Sequence, residues 1–174
     1  MRYVLSMLFV VFLMGCSSVQ VKYDYDKAVN FSTYRSYNYM PDMQSGLSQL
    51  DENRLLRILD STLQVRGYRL AEEPEFLINI MSQEYHTAPK SSVGLGIGGG
   101  GRNVGGGISV GVPVGGSNTQ RSIQFDLVDA ERDALVWQAL AESGYNNNSS
   151  PNLREHNLSA IVKKVFSKFP PKTD

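Results

Sequence analysis

Cys16 is the side chain with the most distinctive chemistry in this sequence, because a thiol can be converted to a thioether that carries acyl chains. It is the one cysteine among 174 residues, so neither an intramolecular disulfide nor a cysteine-based metal site can form. A basic start, Met1-Arg2, and an apolar run, Tyr3 to Met14, precede it. This run is shorter than the roughly 20 residues that cross a bilayer as a helix, so it predicts an export signal.

The residues Leu13-Met14-Gly15-Cys16 resemble the lipobox that lipoprotein signal peptidase cleaves. The small Gly15 lets the scissile bond enter the peptidase, and the Cys16 sulfur receives diacylglycerol. A buried free thiol in the signal helix is the alternative, which the position directly after Gly15 disfavours. We therefore predict cleavage between Gly15 and Cys16, a signal peptide over residues 1–15 and a lipidated tether over residues 16–20. Several acyl chains, palmitate among them, would anchor the protein permanently, whereas one chain binds reversibly.

The residues after Cys16 predict where the anchor resides. Ser17-Ser18-Val19-Gln20 lack the Asp that retains lipoproteins of enteric bacteria in the inner membrane, and they lack the acidic run that sends some lipoproteins to the cell surface. We predict an outer-membrane lipoprotein that faces the periplasm. Its expected partners are the membrane, through Cys16, and an envelope or outer-membrane protein.

Composition predicts one globular domain over residues 21–174. Hydrophobic residues make up 41% of the chain and charged residues 20%, which is enough apolar surface for a single core. Basic and acidic residues number 17 each, so the formal net charge is zero. A near-neutral chain without a basic stripe offers no field for nucleic acid and no polybasic membrane patch.

Hydrophobic periodicity predicts the helices and strands. Alternation over residues 19–25 indicates a strand that pairs with an aromatic strand within residues 31–39. Apolar residues at three- and four-residue spacing indicate one helix that begins at Ser48 or Asp51 and ends at Gly67. A second helix opens either at Ser150-Pro151 or at the pattern Asn152…Glu155, and it carries the stripe Leu158, Ile161, Val162, Val165, Phe166 and Phe169.

Three further strands complete the prediction. Residues 76–81 are apolar on both faces, which is typical of a central strand, and strands around residues 123–127 and 135–141 form a hairpin through the turn at residues 129–133. We therefore predict an α+β fold: a mostly antiparallel sheet of five or six strands, with two amphipathic helices packed on one face.

A glycine-rich insert, residues 91–119, interrupts the strands. Gly94-Leu95-Gly96-Ile97-Gly98-Gly99 matches a dinucleotide fingerprint in letters, but more glycine follows where a helix N-terminus is required, and there is no phosphate-loop ending. We therefore predict that this segment binds no nucleotide. Alternation over residues 107–114 favours a glycine-rich β-arm that could meet a partner. Deletion of residues 94–116 should leave folding intact and weaken partner capture.

Catalytic and metal-binding patterns are missing from the sequence. His86 and His156 lack ligand spacing, and no Gly-x-Ser-x-Gly elbow exposes a serine nucleophile. Asp24 and Asp26 share a strand face and Asp126 lies on another strand, but solvated strand charges explain these carboxylates better than a glycosidase-like pair. We predict no enzyme, no metal and no cofactor.

Tyrosines are the remaining candidates for a binding surface. Tyr23, Tyr25, Tyr37 and Tyr39 could contact a partner, a glycan or a lipid, because tyrosine combines an apolar ring with a polar tip. Packing within a half-buried sheet is the competing interpretation, and the sequence favours it.

Several short segments, taken in order, resemble one family of bacterial lipoproteins, the domain of unknown function forty-one thirty-six (DUF4136). These segments are Val21-Lys22-Tyr23-Asp24-Tyr25-Asp26, Phe31-Ser32-Thr33-Tyr34-Arg35-Ser36-Tyr37, Arg66-Gly67-Tyr68, Phe125-Asp126-Leu127-Val128-Asp129 with Val136-Trp137, and Phe169-Pro170-Pro171-Lys172. The resemblance covers nearly all of the chain after Cys16. It implies an envelope lipoprotein and transfers no catalytic residue.

These observations predict a lipid-anchored envelope protein that acts by non-enzymatic binding or scaffolding. The alternative is a lipid- or glycan-binding carrier or assembly module of the envelope. Recovery of a barrel protein with the chain would favour the scaffold, and a lipid or sugar in native mass spectra would favour the carrier.

Overall fold

The computed structural model describes residues 19–87, 92–94, 111–113 and 118–172. Within this part of the chain, one mixed sheet of six strands is packed against two α-helices, which makes an α+β domain. The helices are α1, Gln49–Val65, and α2, Pro151–Phe166. The strands of the sheet are β1 Gln20–Tyr25, β2 Ser36–Tyr39, β3 Arg69–Leu70, β4 Phe76–Thr87, β7 Asn118–Asp129 and β8 Ala134–Gly144. A separate antiparallel pair consists of β5 Ser92–Gly94 and β6 Gly111–Pro113.

The strand order across the sheet is β1-β8-β7-β4-β2-β3. Neighbours from β1 to β4 are antiparallel, whereas β2 runs parallel to both β4 and β3. The prediction of a mostly antiparallel sheet is therefore wrong, and so is the predicted pairing of the first two strands. The physical reason is α1, which carries the chain from β2 back to the same end of the sheet, as parallel neighbours require.

Both helices begin where local capping predicts, and α1 also ends where it predicts. The side chain of Ser48 accepts a hydrogen bond from the Asp51 amide, and Ser150 does the same for Leu153. Gly67 takes the positive φ of +90° expected of a residue that follows a helix. These three predicted boundaries are confirmed, whereas α2 ends at Phe166, so Phe169 of the predicted stripe lies beyond the helix.

The two helices lie on one face of the sheet and run parallel to each other. Their first turns meet where Arg154 Nη1 donates to Asp51 Oδ2 at 2.8 Å, and their last turns meet where Arg66 Nη1 donates to the Phe169 carbonyl at 2.7 Å. Parallel helices place both N-termini at the same end of the domain.

An aromatic core fills the space between sheet and helices. Phe166 of α2 lies 5.7 Å from Phe125 of β7 and 5.8 Å from Trp137 of β8, measured between ring centroids. Phe169 follows α2 and lies 5.4 Å from Trp137. Edge-to-face and tilted contacts of this kind add to the free energy gained by burying the rings. Buried aliphatic residues at one helix face and one sheet face complete this core: Leu55, Leu59, Leu63, Ile78, Ile80, Ile123, Leu127, Ile161, Val162 and Val165.

The glycine-rich insert predicted at residues 91–119 lies largely outside the described residues, and so does the predicted β-arm. In the described ranges, β4 ends at Thr87 and β7 begins at Asn118, so the insert leaves and rejoins the sheet at one end. Among the helices that the structure describes, none combines the length and the apolar character needed to cross a bilayer.

Candidate functional site

The candidate site lies on the sheet face that points away from α1 and α2, here called the open face. Side chains alternate along each strand, so the register across β4, β7, β8 and β1 fixes which residues lie side by side on this face. One row crosses the four strands and consists of Asn79, Asp126, Gln138 and Asp24. Directly opposed side chains in a sheet are about 5 Å apart, so this row forms a continuous strip of amide and carboxylate groups.

The neighbouring rows of the open face combine polar and apolar side chains. The first contains Met81, Gln124, Leu140 and Lys22, and the second contains Gln83, Ser122, Glu142 and Gln20. The Tyr85 hydroxyl donates to Glu142 Oε1 at 3.0 Å. Each amide offers both donors and an acceptor, so this face can make many directed hydrogen bonds, and carboxylates outnumber lysine among its charged groups.

Asp126 occupies the centre of the open face and is only 9% exposed. Gln124 Nε2 donates to both of its carboxylate oxygens, at 2.9 and 3.1 Å. Among the described residues, no lysine or arginine forms a salt bridge with it. Burial raises the pKa of Asp126 above its usual value, and the hydrogen bond from Gln124 offsets part of that rise. The interpretation of Asp126 as a solvated strand charge is therefore wrong.

We expect Asp126→Asn to stabilise the protein by roughly 1 kcal/mol at neutral pH, a common gain for removing an unfavourable group. A raised pKa in the folded state means that ionised Asp126 opposes folding. Protonated Asp126, by contrast, favours folding. This contribution is complete below the pKa of the unfolded chain and is lost as the pH rises through the raised folded pKa. The advantage of the variant should therefore disappear in acid, as urea unfolding at a series of pH values can measure.

Asp24→Asn is the matched control, because Asp24 belongs to the same row but is exposed on β1. It should change the free energy of unfolding by less than about 0.5 kcal/mol at neutral pH, as surface substitutions usually do. Equal effects of the two substitutions would show that burial does not set the behaviour of Asp126.

Two of the predicted contact residues, Tyr23 and Tyr25, lie on the helix-covered side of β1, which is an edge of the sheet. Their rings stack with centroids 6.4 Å apart and an interplanar angle of 9°. Tyr23 is 44% exposed, and Lys168 Nζ lies 5.9 Å from its ring centroid. Tyr25 is half-buried and meets Phe31 edge-on. Of this pair, Tyr23 has the ring that remains available to a partner.

The other two predicted contact residues lie under α1. Tyr37 is fully buried and Tyr39 is half-buried, and both hydroxyls donate to Asp60 Oδ1, at 2.8 and 2.7 Å. Burial and then the hydrogen bond to Asp60 raise the pKa of both tyrosines well above the usual value. Tyr37 offers no surface to a partner, so packing within the sheet is the correct interpretation for this residue.

A buried ionic cluster ties the first turns of both helices to the sheet. The side chain of Asp51 is 1% exposed and accepts from Arg54 Nη1 and Arg154 Nη1, each at 2.8 Å. Arg121 Nη1 of β7 lies 3.6 Å from the same carboxylate. Burial alone would raise the pKa of Asp51, but the hydrogen bond and charge of Arg154, followed by those of the other arginines, hold it below its usual value. A carboxylate kept ionised in this way acts as a structural link.

Arg121 connects this cluster to two other elements. Its guanidinium lies 3.4 Å above the Tyr145 ring centroid, and its Nη2 donates to Glu84 Oε1 at 2.6 Å. Its Nε is buried and has no hydrogen-bond acceptor among the described residues. Stacking on an aromatic ring suits a guanidinium, whose faces are weakly hydrated.

The remaining predicted sites do not assemble into a centre. The described residues do not include Gly15, Cys16 or the part of the dinucleotide-like glycine pattern over residues 95–99. His86 Nδ1 lies 3.2 Å from Thr119 Oγ1, whereas His156 is exposed on α2. The part of the chain that the structure describes contains no group of three acidic, histidine or cysteine side chains placed to hold a metal.

Sequence reasoning missed the row around Asp126 and the cluster around Asp51. The alternation of β7 places Asp126 opposite to Phe125 and Leu127, which was visible in the sequence. Its neighbours Asn79 and Gln138 come from the strand register, which no local pattern specifies. Asp51 was predicted only as a possible helix cap. Its partners Arg121 and Arg154 lie 70 and 103 residues farther along the chain, so no local pattern predicts these contacts.

This fold and site define a small α+β domain in which a half-covered mixed sheet presents a polar face. The chain belongs to the DUF4136 family, described as a domain of unknown function, which matches residues 21–171. No curated protein matches the sequence.

Comparison with solved structures finds similarity at low sequence identity. A PDZ domain protein from Parabacteroides distasonis is 11% identical, with a TM-score of 0.55 over 97% of this chain, and the chain spans 40% of that protein's length. Two crystal forms of a PelC dodecamer from Paraburkholderia phytofirmans are 13% and 14% identical, with TM-scores of 0.49 and 0.44. They cover 86% of this chain and 95% and 96% of their own.

Proposed function

We propose that this protein is a lipid-anchored component of the bacterial envelope that binds a partner through the open face and has no enzymatic activity. The anchor is Cys16, acylated after cleavage behind Gly15, and the expected location is the periplasmic side of the outer membrane. The lipobox-like sequence supports the anchor. The row centred on Asp126 supports the binding role and carries it, because a buried carboxylate without a cationic partner among the described residues lowers stability, and such a cost is typical of groups that serve recognition.

Replacement of Cys16 with Ala tests the anchor. The variant should remain unprocessed and take up no labelled palmitate, whereas the parent chain should be labelled and should sediment with outer membranes. A Ser17→Ala variant is the matched control, since it leaves the lipobox-like residues unchanged. Maturation and membrane sedimentation of the Cys16→Ala variant would refute lipid anchoring.

A photo-crosslinking amino acid at Gln138 tests the binding role. Gln138 lies next to Asp126 on the open face, and Glu73 in the exposed segment between β3 and β4 provides a matched control position. We expect a discrete envelope or outer-membrane protein to be captured in living cells from position 138 and not from position 73. Asp126→Asn in the same background should reduce this product several-fold although the protein is no less stable. Equal products from both positions would contradict a binding role for the open face.

A glycan-binding carrier or assembly module is the second candidate, and the amide content of the open face favours it. Asn79, Gln124 and Gln138 surround the Asp126 carboxylate, and sugar hydroxyls can bond to both kinds of group. Under this alternative, the crosslinking positions yield no protein product, and native mass spectra of the purified protein contain a bound saccharide. Asp126→Asn should weaken retention of that saccharide.

A further inference from the structure

The distance between the proposed anchor and the folded domain is set by very few residues. Val19 is 7% exposed and belongs to the hydrophobic core, and β1 begins at the next residue. Only Ser17 and Ser18 separate Val19 from Cys16. Three residue steps span at most about 11 Å when fully extended, so Val19 cannot lie farther than this from the Cys16 backbone.

The strand register and the ionic cluster show which end of the domain this short tether reaches. Gln20 pairs with Glu142, near the end of β8, and the adjacent Ser143 pairs with Arg121 of β7. Arg121 contacts Asp51 in the first turn of α1, and Asp51 contacts the first turn of α2. Val19 and the N-terminal turns of both helices therefore lie at one end, here called the tether end.

Large apolar side chains are exposed on the helix turns of the tether end. Leu50 is the second residue of α1 and is 66% exposed, and Leu153 is the third residue of α2 and is 48% exposed. Single exposed leucines are common on protein surfaces, so exposure alone carries no meaning. What distinguishes these two is that neighbouring helix turns present them at the end to which the tether leads.

Charge does not select a different occupant for this end. Asp51 is paired with arginines, and Arg121 is paired with Glu84. Paired groups of opposite sign produce little long-range field, so neither an acidic nor a basic partner is favoured over a lipid surface. Apolar side chains beside polar groups are suited to the headgroup region of a membrane.

We infer that the tether end rests on the bilayer that holds the acyl chains, with Leu50 and Leu153 inserted among the lipid headgroups. This inference rests on the proposed acylation of Cys16. It specifies which part of the domain faces the lipid, and it leaves the open face exposed to a partner beside the membrane.

Single cysteines on one helix test this orientation. Leu50→Cys and Val65→Cys place a thiol at the two ends of α1, about 22 Å apart, and Val65 is itself 86% exposed. In the lipidated mature protein the Cys16 sulfur is held in a thioether, so a thiol-reactive fluorophore labels only the introduced cysteine. The labelled proteins are placed in phosphatidylethanolamine–phosphatidylglycerol vesicles that contain a spin-labelled lipid. We expect emission from position 50 to be quenched several-fold more than emission from position 65.

Further label positions make the result decisive. Leu153→Cys should be quenched as strongly as Leu50→Cys, because it lies on the adjacent helix turn. Equal quenching at positions 50 and 65 would overturn the inference. So would strongest quenching at Asp24→Cys, which would mean that the domain lies on its β1 edge. Failure of acylation is recognised separately, because the parent chain would then react with the fluorophore at Cys16.

Discussion

Replacing Asp51 with Asn is expected to lower the free energy of unfolding by about 3–5 kcal/mol, the usual cost of removing one partner from a buried ionic group. Asp51 is the shared acceptor of Arg54 and Arg154, and Arg121 lies 3.6 Å away. The substitution keeps the shape of the side chain but removes its charge. Arg121, whose side chain is 6% exposed, would then remain buried beside two other arginines. Urea unfolding of the purified lipidated protein in detergent measures this loss.

The same cluster makes the stability depend on pH in a defined direction. The pKa of Asp51 is lower in the folded protein than its ordinary value of 3.8. Its contribution to stability is therefore complete above the pKa of the unfolded chain and is lost as the pH falls through the lowered folded pKa. The Asn variant lacks a carboxyl group at this position, so its stability should fall less steeply than that of the parent chain in acid.

An exposed ion pair between the same two helices provides the control. Arg57 Nη2 lies 3.1 Å from Glu155 Oε1, and the two side chains are 64% and 49% exposed. Glu155→Gln should cost less than about 1 kcal/mol, because solvent screens exposed pairs. A loss as small as this for Asp51→Asn would contradict the role given to the buried cluster. The double variant Asp51→Asn with Arg121→Gln should recover part of the loss, because it removes one of the three positive charges that Asp51 offsets in the parent chain.

The helices could be predicted because their signals are local. Ser48, Ser150 and Gly67 act on backbone groups within a few residues of themselves, and the structure places all three where capping requires. The apolar stripes of both helices likewise depend only on the helical repeat. Short-range rules are therefore sufficient for these elements.

Strand pairing could not be predicted in the same way. Consecutive strands are often neighbours, which favoured pairing of β1 with β2, but β1 pairs with β8 and β2 pairs with β4.

The turn after β7 combines a local signal that the sequence shows with a distant contact that it does not show. Its sequence indicated a turn, whereas the bond from the Tyr34 hydroxyl to Asp129 Oδ2, at 2.7 Å, joins residues 95 positions apart. Burial alone would raise the pKa of Asp129, but the hydrogen bonds from Arg132 and Tyr34 lower it by more. The pKa of Asp129 is therefore held at about 2.

The candidate site follows the same rule. Alternation assigns Asp126 to the face opposite Phe125, but its significance comes from burial and from neighbours on other strands. The four tyrosines proposed from sequence share one residue type and still have different environments. Tyr37 is buried against α1, while Tyr23 is partly exposed at the sheet edge. Residue type therefore indicated which side chains could bind, and only tertiary structure shows which of them are accessible.

Trp137→Ala should lower the free energy of unfolding by about 3–5 kcal/mol, as for other large aromatic residues removed from a core. Trp137 is 1% exposed and contacts both Phe166 and Phe169. Its Nε1 is buried without an acceptor among the described residues, so the ring contributes packing while its N–H has lost water without replacement. Trp137→Phe should consequently cost much less than Trp137→Ala, since it keeps most of the ring and removes the unsatisfied donor.

Strand β8 connects the aromatic core to the open face, so these two substitutions should also differ in their effect on binding. Gln138 follows Trp137 in β8 and projects to the opposite side, so the aromatic core holds the strand that positions the Asp126 row. We expect Trp137→Ala to weaken crosslinking from position 138 by destabilising β8, and Trp137→Phe to preserve it. Unfolding in urea and the crosslinking yield can be measured on the same preparations. If Trp137→Phe proved as destabilising as Trp137→Ala, the indole N–H would have to make a stabilising hydrogen bond, and packing alone would not explain the contribution of Trp137 to stability.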